Sequence, residues 1–305
     1  MSAIDVAEAG NSDTLLPFML GAGLVRGRVV RLGPALDTIL GDHDYPPAVA
    51  TRLAEIITIA VSLAGALKYD GVFTLQIQGK GPISLVVADV TSEGHLRAYA
   101  RFDEERLAAA DATLTGHFDK AYLAFTVDQG SGTDRYQGIV DLEGDTLAES
   151  ARIYFERSEQ LATAFALTVH PPENGHGWRA GAAMIQRMPT GPQSPILIAS
   201  EAEEVWNRSS ILLKSLRDAE LVDPVISPAR LLYRLFHEDG FTTSPEKPLL
   251  AKCRCSAERV RGTLRTFPRT EIESLKDENG EVVVTCEFCK ARYHYSATDL
   301  DELYT

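Results

Sequence analysis

The sequence predicts an α+β fold with an N-terminal domain of mixed sheet and helix, a partly helical linker and a small C-terminal zinc-binding domain. Three observations lead to this prediction. Predicted strands and helices occur in clusters and do not alternate regularly, which favours α+β over a doubly wound parallel sheet. The 305 residues are enough for about two domains. All four cysteines lie in one short C-terminal block.

The first predicted elements form a meander of strands beside one long helix. Apolar and basic residues alternate over 24–31, which indicates a strand. The long helix is predicted over 49–67, and its apolar stripe indicates that it is largely buried. The stripe consists of Leu53, Ile56, Ile57, Ala60, Ala64 and Leu67. Alternating patterns predict the strands of the meander at 73–78, 83–90 and 95–101.

The second half of the N-terminal domain is predicted to contain more strands and one helix. A strand pair at 122–127 and 136–140 is joined by the glycine-rich segment 128–134. A helix is predicted over 147–165 and a final strand over 179–187. The core candidates on that helix are Ile153, Tyr154, Leu161 and Phe165. We therefore predict a self-contained core domain over 14–189, preceded by a disordered tail over 1–13.

The linker is predicted over 190–249. It opens with the Pro- and Gly-containing sequence PTGPQSP and continues with a helix over 201–216. Ser227 followed by Pro228 is a start signal for a second helix that ends at Glu238. The apolar side of this helix is formed by Leu231, Leu232, Leu235 and Phe236, and it must be covered in the folded chain.

Composition and charge argue against several classes of protein. The net charge is −13; residues 250–305 carry nine Lys and Arg and ten Asp and Glu, so they contribute −1 and the rest of the chain −12. A nucleic-acid-binding protein usually has a basic face, so no nucleic-acid partner is expected. No run of the roughly 20 apolar residues of a membrane span is evident, and the N-terminus lacks a signal-peptide pattern. A cytoplasmic protein without a membrane partner is expected.

The cysteines follow the pattern C-x-C, thirty residues, C-x-x-C, and they are Cys253, Cys255, Cys286 and Cys289. Two close pairs that bracket one segment fit a tetrahedral zinc site, with one Zn²⁺ per chain. In that arrangement the four sulfurs should lie within about 4 Å of one another. The same pairs could close as disulfides instead. His294 is a weaker candidate ligand, because four cysteines already complete a tetrahedron.

Two other readings of the cysteines remain open. A lone C-x-x-C can be a thioredoxin-type redox pair, but such pairs begin a helix in a βαβ unit, whereas strands are predicted on both sides here. The cysteines can also be free and unrelated. The prediction of a strand before Cys286 and another through Tyr293 and Tyr295 favours a zinc knuckle.

The rest of the chain shows no catalytic motif. Gly79-Lys80-Gly81 lacks the spacing of a phosphate-binding loop and is predicted to be a turn. The six histidines outside the cysteine block show no metal-ligand spacing, and no G-x-S-x-G sequence occurs. This pattern favours a binding protein over an enzyme.

Several motifs together resemble one known family. The cysteine block, with Ser256 and Tyr293, is similar to the zinc-binding end of the redox-regulated heat shock protein 33 family of holdase chaperones. The resemblance runs through nearly the whole chain; it includes Val25–Arg28, His43–Pro46, Leu75–Pro82, Leu96–Ala100, Tyr136–Val140, Tyr154–Gln160 and Leu235–Glu238. One departure is Gly181–Gln186, where the family more often has a second glycine and a run of leucines.

The resemblance implies a redox switch. The reduced, zinc-bound protein would be folded and largely inactive. Oxidants such as peroxide or hypochlorite, together with unfolding stress, would form the disulfides Cys253–Cys255 and Cys286–Cys289 and release zinc. The C-terminal domain and the linker would then unfold and hold unfolding client proteins without ATP, with a homodimer as the active form. The candidate client-binding residues would be those on the apolar side of the linker helix, Leu231, Leu232, Leu235 and Phe236.

Physical reasoning supports this reading. A segment of about 55 residues has too small a core to fold without its metal. Zinc binding at such sites contributes about 10–16 kcal/mol, compared with about 5–15 kcal/mol for the whole stability of a typical domain. Two competing functions remain: a zinc ribbon that recognises nucleic acid or a protein partner, which a salt-dependent shift on RNA or DNA would reveal, and a thiol oxidoreductase, which turnover in insulin reduction would reveal.

Overall fold

The computed structural model describes residues 13–130, 135–189 and 196–304, with side chains of the last range from residue 199 onward. The chain divides into two compact units between Ala251 and Lys252. Residues 1–12 of the predicted tail, 131–134 of the glycine-rich loop and 190–195 at the start of the predicted linker lie outside the described residues.

The first unit contains two sheets and several helices. Its strands are β1 (Thr14–Leu20), β2 (Val25–Leu32), β3 (Val72–Gln78), β4 (Ile83–Thr91), β5 (His95–Phe102), β6 (Tyr122–Asp128), β7 (Tyr136–Asp141), β8 (Thr163–His170), β9 (Arg179–Arg187), β10 (Phe241–Thr243), β11 (Lys247–Pro248) and β12 (Leu250–Ala251). Its α-helices are α1 (Pro34–Gly41), α2 (Pro47–Ala64), α3 (Glu104–Ala109), α4 (Leu114–Phe118), α5 (Leu147–Ser158), α6 (Ile196–Lys214), α7 (Asp218–Val222) and α8 (Pro228–Phe236).

The two sheets are almost entirely antiparallel. Sheet one has the order β10-β1-β2-β9-β8, and β11 also pairs with β1. Sheet two has the order β12-β5-β4-β3-β6-β7. The predicted meander is β3-β4-β5, and the predicted pair is the hairpin β6–β7. The pairing of β12 with β5 is parallel, which the long stretch of chain between these two strands permits.

Helix α2 forms the centre of the main core. It contacts strands of both sheets, including β2, β9 and β4, and most of its residues are buried. The predicted burial of the long helix is therefore confirmed. Leu67 is an exception at 40% exposure, because the helix ends at Ala64 and the chain turns away before the next position of the stripe.

Helices α6, α7 and α8 cover the opposite face of sheet one. They contact β1, β2, β8 and β9 and enclose a second core cluster that contains apolar residues of those strands. Sheet one is thus buried on both faces. This explains why the residues of β1 and β2 are mostly buried, without the alternation of buried and exposed positions that a strand with one solvated face shows.

The helix predicted over 147–165 requires correction. It ends at Ser158, and Phe165 lies on β8, which pairs with β9 along its length. Gln160 has a positive φ of 52°, which interrupts the helix. Helical spacing of Tyr154, Leu161 and Phe165 continues across this break only by coincidence.

Helix α2 is also long and apolar enough to cross a membrane, the one such helix among the residues that the structure describes. However, 72% of its apolar window is buried inside the protein, and Arg52 and Glu55 interrupt the run with an ion pair. This is the arrangement of a core helix, so its apolar character is weak support for a membrane span.

The second unit is small. It contains α9 (Ala257–Leu264), α10 (Arg269–Glu273), the hairpin of β13 (Val282–Thr285) and β14 (Arg292–Tyr295), and α11 (Ala297–Leu303). Its buried apolar side chains are Leu264, Ile272, Val282, Tyr295, Leu300 and Leu303. The predicted strands on both sides of the C-x-x-C sequence are confirmed.

Candidate metal centre

The hairpin β13–β14 positions one pair of cysteines. Cys286 directly follows β13, and its N–H donates to the carbonyl of Ala291 at 2.9 Å. The N–H of Lys290 donates back to the carbonyl of Cys286 at 2.9 Å, and Lys290 has a left-handed φ of 54°. These bonds close a tight turn that directs the thiols of Cys286 and Cys289 to one side.

The other pair of cysteines lies on an extended segment that ends at helix α9. Ser256 is the N-cap of that helix, and its hydroxyl accepts from the N–H of Arg259 at 3.2 Å. The cap fixes the chain direction directly after Cys255. Cys253 and Cys255 are separated by one residue, and in an extended segment such residues direct their side chains to the same side.

The four thiols form one cluster. All four sulfur atoms lie within 4.8 Å of one another, a somewhat wider limit than the predicted distance of about 4 Å. The Sγ atoms of Cys253 and Cys286 are 3.7 Å apart, and those of Cys255 and Cys289 are 3.4 Å apart. A tetrahedron with Zn–S bonds of about 2.3 Å has S–S edges of roughly 3.8 Å, so the cluster has the dimensions of a zinc site.

The chemistry of the donors also fits zinc. The four residues are unbridged cysteines and are half-buried. Within the described residues they are the one group of three or more potential ligands, of the kinds histidine, cysteine and carboxylate, that could hold a metal ion. Four soft sulfur ligands in a tetrahedral arrangement favour Zn²⁺ or an iron–sulfur centre over Mg²⁺ or Ca²⁺.

The protein surroundings oppose ionisation of the thiols. Burial raises the pKa of Cys286 and of Cys289, and the hydrogen bonds from neighbouring thiols raise both further. Backbone N–H groups of Phe288 and Cys289 lower the pKa of Cys286, but burial outweighs them. The cluster therefore needs a bound cation to become four thiolates.

Tyr293 is a neighbour of the cluster whose contact with a thiol the sequence did not reveal. Its hydroxyl donates to the Sγ atom of Cys255 at 3.1 Å, and this bond is the main cause that raises the pKa of Tyr293 to about 12. The alternation of Tyr293 with Tyr295 on the predicted strand indicated only that the two side chains share a face. A donor to a ligand sulfur orients that ligand and tunes its affinity for the metal.

His294 lies outside the cluster. Its Nδ1 atom is 3.1 Å from a carboxylate oxygen of Glu281, and the side chain is exposed. Adjacent residues of a strand face opposite sides, so His294 is directed away from the face that carries Tyr293. The expectation that four cysteines leave no place for this histidine is consistent with the geometry.

The candidate client-binding residues lie in the first unit. Leu231, Leu232, Leu235 and Phe236 are all on α8, and none is more than 7% exposed. The Phe236 ring stacks on Phe18 of β1 with centroids 5.9 Å apart. The prediction that this helix has a covered apolar side is confirmed, and sheet one provides the cover.

A cluster of charged residues also holds α7 and α8, and the sequence analysis missed it. The carboxylate of Glu220 on α7 accepts from the guanidinium groups of Arg234 on α8 and of Arg217. Arg31 of β2 donates to the backbone carbonyls of Glu220 and Asp223, at 3.0 and 2.6 Å. We call these four side chains, Arg31, Arg217, Glu220 and Arg234, the arginine latch.

A sequence signal for part of the latch exists. Arg217 and Glu220 are three residues apart, and the Glu220 carboxylate accepts from the backbone N–H of Arg217, the N-cap of α7, at 3.1 Å. The contribution of Arg31 could not be found in this way, because the bonds join residues nearly 190 positions apart.

Comparisons with known proteins point to one family over nearly the whole chain. The model of the family described as "Hsp33 protein" matches residues 13–296. The chain is 40% identical over 288 residues to a protein named 33 kDa chaperonin from Caulobacter vibrioides, covering 92% of this chain and 94% of that one. It is 37% identical over 281 residues to a 33 kDa chaperonin from Ectopseudomonas mendocina, covering 92% and 91%.

A solved structure has the same fold. The crystal structure of a 33 kDa chaperonin (heat shock protein 33 homolog) from Thermotoga maritima superimposes with a TM-score of 0.78. The two chains are 23% identical, and the match covers 96% of this chain and 98% of that one.

Proposed function

The chain belongs to the Hsp33 family, and we propose from that membership that it is a redox-regulated, ATP-independent holdase chaperone. The observation that carries the proposal is the cluster of four thiols in a unit with only a small core. In this role the protein binds unfolding client proteins and performs no enzymatic reaction. It works in the cytoplasm, without a nucleic-acid or membrane partner.

In the resting state, Cys253, Cys255, Cys286 and Cys289 hold one Zn²⁺. A bound Zn²⁺ would supply the positive charge that four neighbouring thiolates need to be stable. Tyr293 orients Cys255, and the hairpin turn presents the other pair. Zinc binding of this kind contributes about 10–16 kcal/mol to folding, so the second unit stays folded only while the metal is bound.

Oxidation removes the ligands in pairs. Each disulfide forms from two thiolates, and the two electrons pass to a peroxide, which is reduced to water with the uptake of two protons. The family pattern assigns the pairs as Cys253–Cys255 and Cys286–Cys289. Since all four sulfurs lie within 4.8 Å, distance alone does not select this pairing. Two disulfides leave no thiolate, so the four cysteines would no longer hold a Zn²⁺ ion.

Unfolding of the second unit then extends along the chain to the linker, residues 190–249. The segment between α8 and Cys253 is held by β10, β11 and β12, which have only two or three residues each. Strands this short open at low free-energy cost once one end is released. When these three strands open, the segment that follows α8 is no longer held on the sheets.

Release of α8 exposes a surface for clients. Moving one fully buried Leu or Phe side chain into water costs about 1.5–3 kcal/mol of free energy. The same free energy is regained when that side chain contacts an apolar segment of a client. Leu231, Leu232, Leu235 and Phe236 provide four such side chains on one helix. A homodimer of the oxidised chain would place two of these surfaces in one particle and increase avidity.

The test compares two redox states of one preparation. Aggregation of thermally unfolding citrate synthase is followed by light scattering with the reduced, zinc-loaded protein and with the protein after peroxide treatment. We expect suppression only after peroxide, with release of one zinc per chain to a chromophoric chelator. Equal activity in both states, or no activity in the oxidised state, would reject the redox-regulated holdase.

A further inference from the structure

Strand β7 is an open edge of sheet two. It pairs with β6 through six consecutive residue pairs without a bulge, and no other strand of the described residues pairs with it. Among the described residues, no hydrogen bond outside this ladder reaches the backbone of Tyr136–Asp141. In an antiparallel strand, alternate residues direct N–H and C=O away from the neighbour, so β7 offers about six unpaired backbone groups.

This edge lacks the features that usually protect an edge strand. Natural sheets block their edges with proline, lysine, bulges or a covering segment. Tyr136–Asp141 has the sequence YQGIVD, without proline or lysine. Two of its large apolar side chains are exposed, Tyr136 at 54% and Ile139 at 59%.

A cavity of about 310 Å³ lies beside the edge, between β7 and α5. Its apolar lining comes from Ile139 and Val140 of the strand and from Ile153 and Tyr154 of the helix. Peptides that add a strand to a sheet edge bind through backbone hydrogen bonds and place alternate side chains in adjacent pockets. The edge and the cavity together offer both kinds of contact.

The arrangement is held in place before any ligand binds. The hydroxyl of Tyr136 donates to Glu159 at 2.8 Å, and the hydroxyl of Tyr154 donates to the same carboxylate oxygen. Arg157 forms a salt bridge with Glu143 at 2.7 Å at the rim of the cavity. These bonds join strand, helix and connecting loop, so binding needs little reorganisation.

We propose that β7 binds an extended, apolar and basic segment of a non-native polypeptide as an additional antiparallel strand. Only an extended backbone can satisfy the unpaired groups of the edge. The surrounding segment 135–159 carries three Arg and six Asp and Glu, so it attracts a basic segment. The same net charge of −3 repels a second copy of this edge.

This inference rests on the proposed chaperone function and adds a second contact for the client. The edge is open in the folded, zinc-bound chain, where a single short strand binds weakly. After release of α8, one client can contact both the edge and the exposed helix, and the two contacts reinforce each other through avidity.

The test uses the reduced, zinc-loaded full chain, so it does not depend on the redox switch. The probe is a soluble peptide of nine residues. Three of them are lysines, and valine and threonine alternate over the other six. Amide chemical shifts and hydrogen exchange of Tyr136–Asp141 are measured by NMR during titration. We expect saturable shifts and slower exchange confined to β7 and to residues that line the cavity.

Two matched controls distinguish strand addition from nonspecific hydrophobic binding. The same peptide with alternate amides N-methylated cannot pair and should cause no protection. Ile139→Lys should weaken binding roughly fivefold, because it removes an apolar cross-strand contact and adds a like charge. Leu67→Lys, also an exposed apolar residue of this unit, should leave binding unchanged.

Three results would overturn the proposal: protection that is equally strong with the N-methylated peptide, no binding of either peptide, or concentration-dependent protection of β7 without peptide. The last would show that a second copy occupies the edge. None of these results bears on suppression of aggregation after peroxide treatment, so failure here is distinguishable from failure of the proposed function.

Discussion

Arg28 lies in the main core of the first unit although it carries a charge. It is 6% exposed, and its Nε and Nη1 atoms have no hydrogen-bond partner among the described residues. Burial, together with the neighbouring charge of Arg26, lowers the pKa of Arg28 to about 9. A buried charge without a partner destabilises the folded state.

Arg28→Met should therefore stabilise the protein. Methionine keeps an unbranched apolar stem and removes the charge, so we expect the free energy of unfolding to rise by about 1–3 kcal/mol. Urea denaturation at pH 7 measures the change. Arg26→Met is the control, because Arg26 is half-buried and donates to Gln186 at 3.1 Å, and it should give no gain. A lower midpoint for Arg28→Met would show that this guanidinium has a stabilising partner.

Cys286→Ser tests the zinc centre at the level of one ligand. Three cysteines cannot complete the tetrahedron, so we expect weaker zinc binding and fast hydrogen exchange across 252–304 under reducing conditions. The first unit up to β9 should stay protected. Mild heat should then increase client holding. A variant that loses zinc yet never suppresses aggregation would mean that zinc release is not the trigger.

His294→Ala is the matched control for this variant. The histidine is in the same hairpin but interacts with Glu281 and not with a thiol. It should keep one zinc per chain and normal protection.

At the scale of elements, the arginine latch is the main polar attachment of α7 and α8 to sheet one. Glu220 is 5% exposed and is shared by Arg217 and Arg234. Arg31 satisfies two carbonyls at the C-terminal end of α7, where the helix itself leaves them unpaired. The latch thus joins the linker helices to a strand of the core.

Glu220→Gln should open the latch without changing its size. The substitution replaces the buried carboxylate by a neutral amide, while Arg217 and Arg234 are 78% and 43% exposed, so water compensates their charges. We therefore expect a loss of about 1–2 kcal/mol in the local stability of α7 and α8. Hydrogen exchange over 218–236 should accelerate, and the reduced, zinc-loaded protein should suppress client aggregation.

Glu204→Gln on α6 is the control for this prediction. Glu204 pairs with Arg208 at 3.4 Å but is largely exposed, and exposed pairs contribute about 0–1 kcal/mol. If both variants behave like the unchanged protein, the apolar contacts of α8 alone hold the linker.

At the scale of the whole molecule, the burial of both faces of sheet one determines where the chain can be truncated without exposing its core. The sequence predicts a self-contained domain over 14–189. In the structure, however, residues after 189 provide the helices of the second core cluster and the strands β10, β11 and β12.

Two truncated chains test this boundary. A chain ending at Ala251 keeps every element of the first unit and should melt cooperatively. A chain ending at residue 189 exposes side chains such as Phe18 and Val29, so we expect it to bind a hydrophobic dye and to associate. Equal cooperativity without dye binding would support the boundary at 189.

Sequence reasoning was reliable where the signal is local. The long helix, predicted over 49–67 and observed over Pro47–Ala64, follows from periodicity within a few residues. The strands of the meander and the cap at Ser227 follow from equally local patterns and side-chain chemistry. The zinc candidate follows from cysteine spacing. The same reasoning failed at β8, because helical and strand spacing overlap there and only pairing with β9 decides between them.

By itself, the sequence determined the four-cysteine cluster, the class of the fold and the family. Only the tertiary structure decided that sheet one is buried on both faces, that Arg31 and Arg28 lie inside, and that β7 remains an open edge. The physical reason is that burial and edge pairing depend on contacts between residues far apart in the chain. The pattern of β2 is compatible with one buried face or with two, and the helices that cover its second face follow about 165 residues later.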